Sequence, residues 1–406
     1  MSDGDSGGPT LDSARVVVVL PALELGGAER QALLLARYLT RERNAAVEFW
    51  SLGGQPGRVG KVCEHLGIPW RLVQLPWSVS RKRRLKDLAR FAWMLRRARP
   101  DIILPYLIMP NVVCGLVWRM TGARVCVWNQ RDGSFVRLEP RAERRAVRRT
   151  PWFISNSEHG ATFLTQTLGA PTERVRIIHN GIQLATPQGN RAAWRSRLGI
   201  DDNTIAACMI ANLTGYKDHE TLLRAWRQVV GFAESAGRKV VLLLAGRLDG
   251  ADSTHHFVKA IAYDLELGRS VRFLGEMEDV SGLLGAVEFG VFSSRAESSP
   301  NGVLECMAAG LAVAGTDNPG IREAVGPDGY QLLSKPGDSE ALANRILQLV
   351  TDYTMRAKLG TANRFRVENE FSPQRMCEQT AALIIEGLRS NTHQPRKARL
   401  GRKTEA

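Results

Sequence analysis

The feature that most constrains this chain is an alternation sustained along nearly its whole length. Short runs of β-branched and other apolar residues are each followed by an amphipathic stretch long enough for a helix. Apolar runs of about four to eight residues between helical stretches mark βαβ units, whose strands lie parallel and are covered on both faces. In the first half the runs are RVVVVL at 15–20, VEFWSL at 47–52, IILPYL at 102–107, VCVW at 125–128, WFIS at 152–155 and VRII at 175–178. After HNGI at 179–182 the pattern pauses. It resumes with TIAACMIA at 204–211, VVLLLAG at 240–246, VRFLG at 271–275, VEFGVFSS at 287–294 and LAVAGT at 311–316. A chain of 406 residues exceeds one ordinary core. The pause therefore predicts two α/β domains, each a Rossmann-like, doubly wound parallel sheet, facing each other across a cleft.

These signals place the first domain at 15–182, a linker at 183–203 and the second domain at 204–370. FSPQRM at 371–376 leads into a last amphipathic helix reaching about residue 389. Residues 1–14 are rich in Gly, Ser and Asp, and 390–406 (SNTHQPRKARLGRKTEA) is polar and basic, so both ends read as disordered. No stretch approaches the roughly 20 apolar residues a membrane-spanning helix needs, and the N-terminus lacks the order of a signal peptide. The expected location is cytoplasmic. The six cysteines lie far apart, with no CxxC pair and no His at ligand spacing, so buried free thiols are expected rather than disulfides or a metal site.

A net charge of +14 points to anionic partners: nucleic acid, an anionic membrane surface or phosphorylated substrates. The segment SSRAESSPNGVLECMAAGLAVAGT at 293–316 favours the last of these. A strand ends near Ser294, and Ser299 as N-cap with Pro300 at the first helical position predicts a helix from there to about Ala309, stopping at Gly310. In an open parallel sheet, ligands bind at the carboxyl ends of strands, where helix N-termini supply unpaired N–H groups and a positive dipole end. The loop at 295–302 is thus a natural diphosphate cradle. Glu297 lies in it, and Glu305 sits one turn inside the helix among Val303, Leu304, Cys306 and Met307. Hydroxyls of a sugar and a ribose would satisfy such carboxylates. On helix logic alone the other reading has equal weight: Glu305 complements the helix dipole, for about 0.3–1 kcal/mol, and Glu297 is solvated.

ESSPNGVLE, with seven residues between Glu297 and Glu305, resembles the E-x7-E motif of the retaining GT-B glycosyltransferases of family four. So do its surroundings, VRFLGEMEDV at 271–280 and ECMAAGLAVAGTDNPGIREAV at 305–325. In the first half, LGGAERQALLLARYL at 25–39 is similar to that family's opening glycine loop and helix, and IIHNGI at 177–182 to its interdomain crossover. The resemblance spans about 15–388. It implies an N-terminal acceptor domain, a C-terminal donor domain binding a UDP- or GDP-sugar, no cofactor and no metal, and a last helix that crosses back to the first domain. It further implies that Glu305 holds the donor ribose, that Glu297 orients the transferred sugar, and that the backbone of Ser298, Ser299, Pro300, Asn301, Gly302 and Val303 faces the diphosphate and sugar. Gly26 and Gly27, whose missing side chains allow close backbone approach, would lie opposite the donor.

Lys217, in ANLTGYKDHETLL, would neutralise the leaving diphosphate. A cation about 4 Å away contributes on the order of 4 kcal/mol at an effective dielectric near 20, several times the helix-dipole contribution. The family pairs this lysine with an upstream arginine that is missing here, where Asn212 or Thr214 stands; Arg247 or Arg295, at strand ends, are candidate substitutes. Many relatives carry a histidine after the strand VCVW, whereas this chain reads WNQRDG, making Arg131 and Asp132 candidates to touch acceptor or phosphate. His159 and His179 read as structural.

SRKRRLKDLARFAWMLRRARP at 80–100 reads as a surface helix with Leu85, Leu88, Phe91, Ala92 and Leu95 on the sheet and solvated arginines elsewhere. The sharper reading is docking on anionic lipid, which a second basic run at 137–149 supports and which suits a lipid-linked or polysaccharide acceptor. No nucleic-acid-binding module accompanies the charge. The rivals to a glycosyltransferase are a nucleotide-sugar epimerase on the same architecture and a non-catalytic protein that binds a nucleotide sugar.

Overall fold

The computed structural model describes residues 10–132, 137–247 and 254–392. Residues 1–9 and 393–406, most of the two segments expected to be disordered, lie outside the described residues. The first sheet comprises β1 (Arg15–Leu20), β2 (Ala46–Ser51), β3 (Trp70–Leu72), β4 (Ile102–Pro105), β5 (Val125–Gln130), β6 (Trp152–Ser155) and β7 (Val175–Ile177). Its order is β3-β2-β1-β4-β5-β6-β7 and every pairing is parallel. The second comprises β8 (Thr204–Ile210), β9 (Lys239–Ala245), β10 (Val271–Gly275), β11 (Phe289–Phe292), β12 (Ala312–Thr316) and β13 (Leu333–Ser334), in the order β10-β9-β8-β11-β12-β13, also parallel throughout.

Double winding is visible in single strands. Along β1, Val16, Val18 and Leu20 enter one hydrophobic core, and Val17 and Val19 enter another on the opposite face. This is the period-2 consequence of a strand covered on both sides. Each such valine contributes roughly 1.5–3 kcal/mol by burial. The strand order reverses between β1 and β4 in one sheet and between β8 and β11 in the other. Chain segments leaving these switch points form the facing walls of the cleft.

Three expectations need correction, and two short strands were not anticipated. Residues 10–14 are not a free tail: Leu11 is buried in the first core, Asn44 Nδ2 donates to Asp12 Oδ1 at 2.7 Å, and Ala46 N–H donates to Ala14 at 2.9 Å. The segment 183–203 is only partly a linker. Its helix Arg191–Arg197 buries Trp194 against Gly282, and Ile200 joins the second core, so the second domain begins near residue 190. The strands β3 and β13, of three and two residues, are too short to carry a hydrophobic period of their own. In the basic helix Arg81–Ala98, Phe91, Ala92 and Leu95 are buried as expected, but Leu85 is 59% exposed.

The helix Tyr353–Glu370 covers the second sheet, after which the chain crosses back. The helix Pro373–Thr392 places Met376, Cys377, Ala381, Leu383, Ile384 and Leu388 in the core of the first domain. The two crossings run side by side: Ile182 N–H donates to Phe371 carbonyl at 2.8 Å, and a side chain at Gly181 would meet Pro373 Cα at 2.6 Å. All six cysteines are free and buried, and among the described residues no helix is long and apolar enough to cross a membrane.

Candidate active site

A cavity of about 430 Å³ lies between the halves, an ordinary size for a small-molecule site. From the second half come Asn212, Lys217, Arg247 and the loop Glu297–Gly302, with Glu305 behind it; from the first come Gly26, Gly27, Arg30, Leu107, Arg131 and Asp132. Most of the residues singled out in the sequence therefore line one cleft. Two do not. Arg295 is not among the residues that line it; its side chain donates to Asp218 at 3.3 Å, because Asp218 offers a buried carboxylate beside it. The Val303 side chain is wholly buried in the second core, since it lies on the sheet side of its helix.

The helix runs Asn301–Ala308, one residue later than the N-cap signal at Ser299 predicted. Pro300 is its N-cap, with ψ of 101°, and lends its carbonyl to Leu304 N–H at 3.2 Å. Proline has no side-chain acceptor, so the helix has no side-chain cap. The N–H groups of Asn301, Gly302 and Val303, which have no carbonyl a turn earlier, form an uncapped positive end at the cleft. The close seat of this helix depends on Gly302, where a Cβ would come within 2.2 Å of Ile210 carbonyl at the end of β8. Gly27 allows the equally close approach of the opposite wall, since a Cβ there would lie 2.8 Å from Asn301 Nδ2.

The charges on the donor side are paired. Lys217 Nζ forms an ion pair with Glu297, which also accepts from Ser294 Oγ at 2.6 Å. Glu305, 8% exposed, pairs with Arg30 of the first half at 2.9 Å. Burial pushes the Glu305 carboxyl above its ordinary value, and Arg30 opposes that shift. Asn212 Oδ1 accepts from Arg247 N–H at 3.1 Å, tying together the loops after β8 and β9. Thr214, the other residue at the place of the missing arginine, also lines the cleft, leaving Arg247 as the candidate substitute there.

Several partners of cleft residues escaped the sequence reading because they lie in the other half. Arg30 reaches Glu305. Ser298 Oγ bonds Ser157 Oγ at 2.7 Å and Asn156 Oδ1 at 2.9 Å, so its side chain serves the contact between halves. Asn180 Nδ2 donates to Asn301 Oδ1 at 2.9 Å. His179, in the crossover, stacks on Phe371 with ring centroids 4.9 Å apart, consistent with a structural part. On the first-half wall Arg131 is 8% exposed, donates to Asn180 Oδ1 at 3.1 Å and Asn129 Oδ1 at 3.2 Å, and lies 5.1 Å from the Tyr106 ring centroid. Asp132 accepts from Gln130 Nε2 at 2.6 Å. Leu107 has φ of +69°, a conformation costly for a leucine.

The chain matches the family Glycosyltransferase Family 4 over residues 25–186 and Glycosyl transferases group 1 over residues 190–366. The change from one to the other falls at the crossover. Among curated relatives, N-acetyl-alpha-D-glucosaminyl L-malate synthase of Bacillus anthracis is 23% identical over 318 residues, 75% of this chain and 80% of that protein. The GDP-mannose-dependent monoacylated alpha-(1-6)-phosphatidylinositol monomannoside mannosyltransferase of Corynebacterium glutamicum is 26% identical over 211 residues, 49% of this chain and 52% of that one. The match thus spans four fifths of the first relative's length and about half of the second's. Among solved structures, Anabaena HepE in complex with UDP and glucose superposes with a TM-score of 0.79 at 20% identity, over 92% of this chain and all of that one.

Proposed function

This chain belongs to the GT-B glycosyltransferases of family four, and from that premise we propose that it moves a sugar from a UDP- or GDP-sugar to a lipid-linked or polysaccharide acceptor, with retention and without a metal ion. One observation carries this reading: the uncapped amino end of Asn301–Ala308 opens on the cleft beside Lys217. Three unclaimed N–H groups and a lysine are what a leaving nucleoside diphosphate requires, because its charge grows as the bond to the sugar breaks. Arg247 adds a second cation to that wall. These groups take the place a divalent metal would otherwise fill.

The roles follow from position. Glu305 anchors the ribose, exchanging Arg30 for hydroxyl donors. Glu297 orients the transferred sugar and keeps Lys217 aimed at the diphosphate. Ser298, Ser299, Pro300, Asn301 and Gly302 shape the cradle with backbone, Gly26 and Gly27 close it from the opposite wall, and Asn212 holds Arg247 in line. In the reaction the bond from the anomeric carbon to the diphosphate oxygen breaks, and the acceptor oxygen bonds to that carbon on the same face. The acceptor proton passes to the departing diphosphate, so no protein nucleophile is needed.

A lipid-linked acceptor is favoured by the outer face of Arg81–Ala98. Leu85, Ala89 and Trp93 follow one another at helical spacing on its exposed side, flanked by exposed Lys82, Lys86, Arg90 and Arg97. An apolar stripe with a basic rim suits the inner face of an anionic cytoplasmic membrane.

Calorimetric titration with UDP, GDP and ADP, followed by the matching sugars, tests the donor. One nucleotide should bind and its sugar should turn over in EDTA with retained anomeric configuration. Failure of all three nucleotides to bind would end this reading. Co-sedimentation with phosphatidylglycerol vesicles but not phosphatidylcholine vesicles tests the membrane face.

A further inference from the structure

The charges on the two walls are balanced differently, and the imbalance identifies the acceptor's chemistry. Only two arginines among the described residues are buried, Arg131 and Arg195. Arg195, 3% exposed, pairs with Glu288 at 3.3 Å and donates to the carbonyls of Ala286, Asp201 and Thr204. Its charge is compensated, as burial requires. Arg131 has no such partner. Among the described residues no carboxylate pairs with it; its acceptors are the neutral amide oxygens of Asn129 and Asn180. Beneath it lies the buried ring of Tyr106, with the guanidinium 5.1 Å from its centroid. A guanidinium has five N–H donors, so this one keeps capacity for a bidentate anion.

Arg131 itself lines the cleft, beside Leu107 at the end of β4. Asn180 joins Arg131 to Asn301, so this site stands two side chains from the amino end of the donor-side helix.

We propose that Arg131 binds an anionic group of the acceptor, a carboxylate or a phosphate, and thereby makes this transferase selective for acidic acceptors. The inference rests on the glycosyltransferase reading for the word acceptor; the anion site itself does not. The diphosphate already has Lys217, Arg247 and three amides on the opposite wall, so an anion at Arg131 comes with the second substrate.

The test is titration of inorganic phosphate, at constant ionic strength, into the protein saturated with the nucleotide it binds, for wild type, R131Q and R131K. The expected result is saturable phosphate binding in wild type, weakened about tenfold or more in R131Q and partly restored in R131K. Nucleotide affinity should change less than about twofold, and R131K keeps the cation if R131Q fails to fold. Equal phosphate affinity in all three, or no phosphate binding by wild type, overturns the proposal. Parallel loss of nucleotide and phosphate affinity overturns it too, by assigning Arg131 to the donor. An independent arm offers wild type L-malate against its dimethyl ester, and myo-inositol 1-phosphate against myo-inositol, with products read by mass. The acidic member of each pair should be glycosylated at least about tenfold faster, and preference for the neutral member overturns the proposal. If no nucleotide binds, the difference in phosphate affinity between wild type and R131Q on the free protein still reads Arg131, and the failure belongs to the donor assignment.

Discussion

The two walls of the cleft are made differently. In the second-half wall one loop and one helix end, Glu297 to Glu305, supply the backbone donors and two carboxylates, and Lys217 and Arg247, from the loops after β8 and β9, add cations, Lys217 already paired with Glu297. The first-half wall is gathered from the ends of three strands, with Gly26 and Gly27 after β1, Leu107 after β4 and Arg131 after β5. A wall of backbone amides fits what every nucleoside diphosphate shares, whereas a wall of dispersed side chains can change one strand end at a time. Under the proposed function, the common chemistry falls to the second half and the choice of acceptor to the first.

The largest expected effect would break this contrast outright. Lys217→Ala should lower turnover by about a hundredfold or more while weakening nucleotide binding far less, because the contact strengthens as charge develops. Steady-state kinetics beside calorimetry measure the two, and equal losses would remove Lys217 from the transition state. Next, Glu305→Ala should raise the nucleotide dissociation constant about tenfold or more, the cost of hydrogen bonds to a charged acceptor. A carboxylate serving only the helix dipole would move it by at most about fivefold.

Gly302→Ala sharpens the comparison at the backbone. The added methyl meets Ile210 carbonyl, so the helix must shift, at a cost of about 1–3 kcal/mol. Thermal unfolding and nucleotide affinity should fall together in this variant. The smallest effect concerns the contact between the halves. Glu323 accepts from Glu158 N–H at 3.0 Å and lies 3.6 Å from His179, and burial raises its carboxyl from 4.5 to about 7. For a carboxyl raised in the folded state, the stability it contributes is complete below pH 4.5 and lost as pH rises through about 7. The melting temperature of wild type should therefore fall across that window relative to Glu323→Gln, on the order of 2 °C.

What was legible in the sequence follows the same division. The longer strands are local patterns, set within a window of a few residues, and the apolar runs placed them directly. Arg30 could not be found that way, because its partner Glu305 is 275 residues distant and lies in the other half. Asn180 and Ser157 were hidden for the same reason. The basic helix shows a different limit: it carries two apolar stripes, and periodicity does not say whether Leu85 or Phe91 faces the sheet. Ser299 failed as an N-cap because the chain turns one residue later, leaving the amides free for a ligand instead of capping them internally.

The paired crossings at Gly181–Ile182 and Phe371–Pro373 have a mechanical consequence. Two bodies joined by one strand of chain can swivel in any direction, but two strands bonded to each other act like a door's pins on a single line. Rotation about that line costs few contacts, while twist or sliding would shear both connections at once. Any rotation about that line would bring Arg30 and Glu305 back to the same registration.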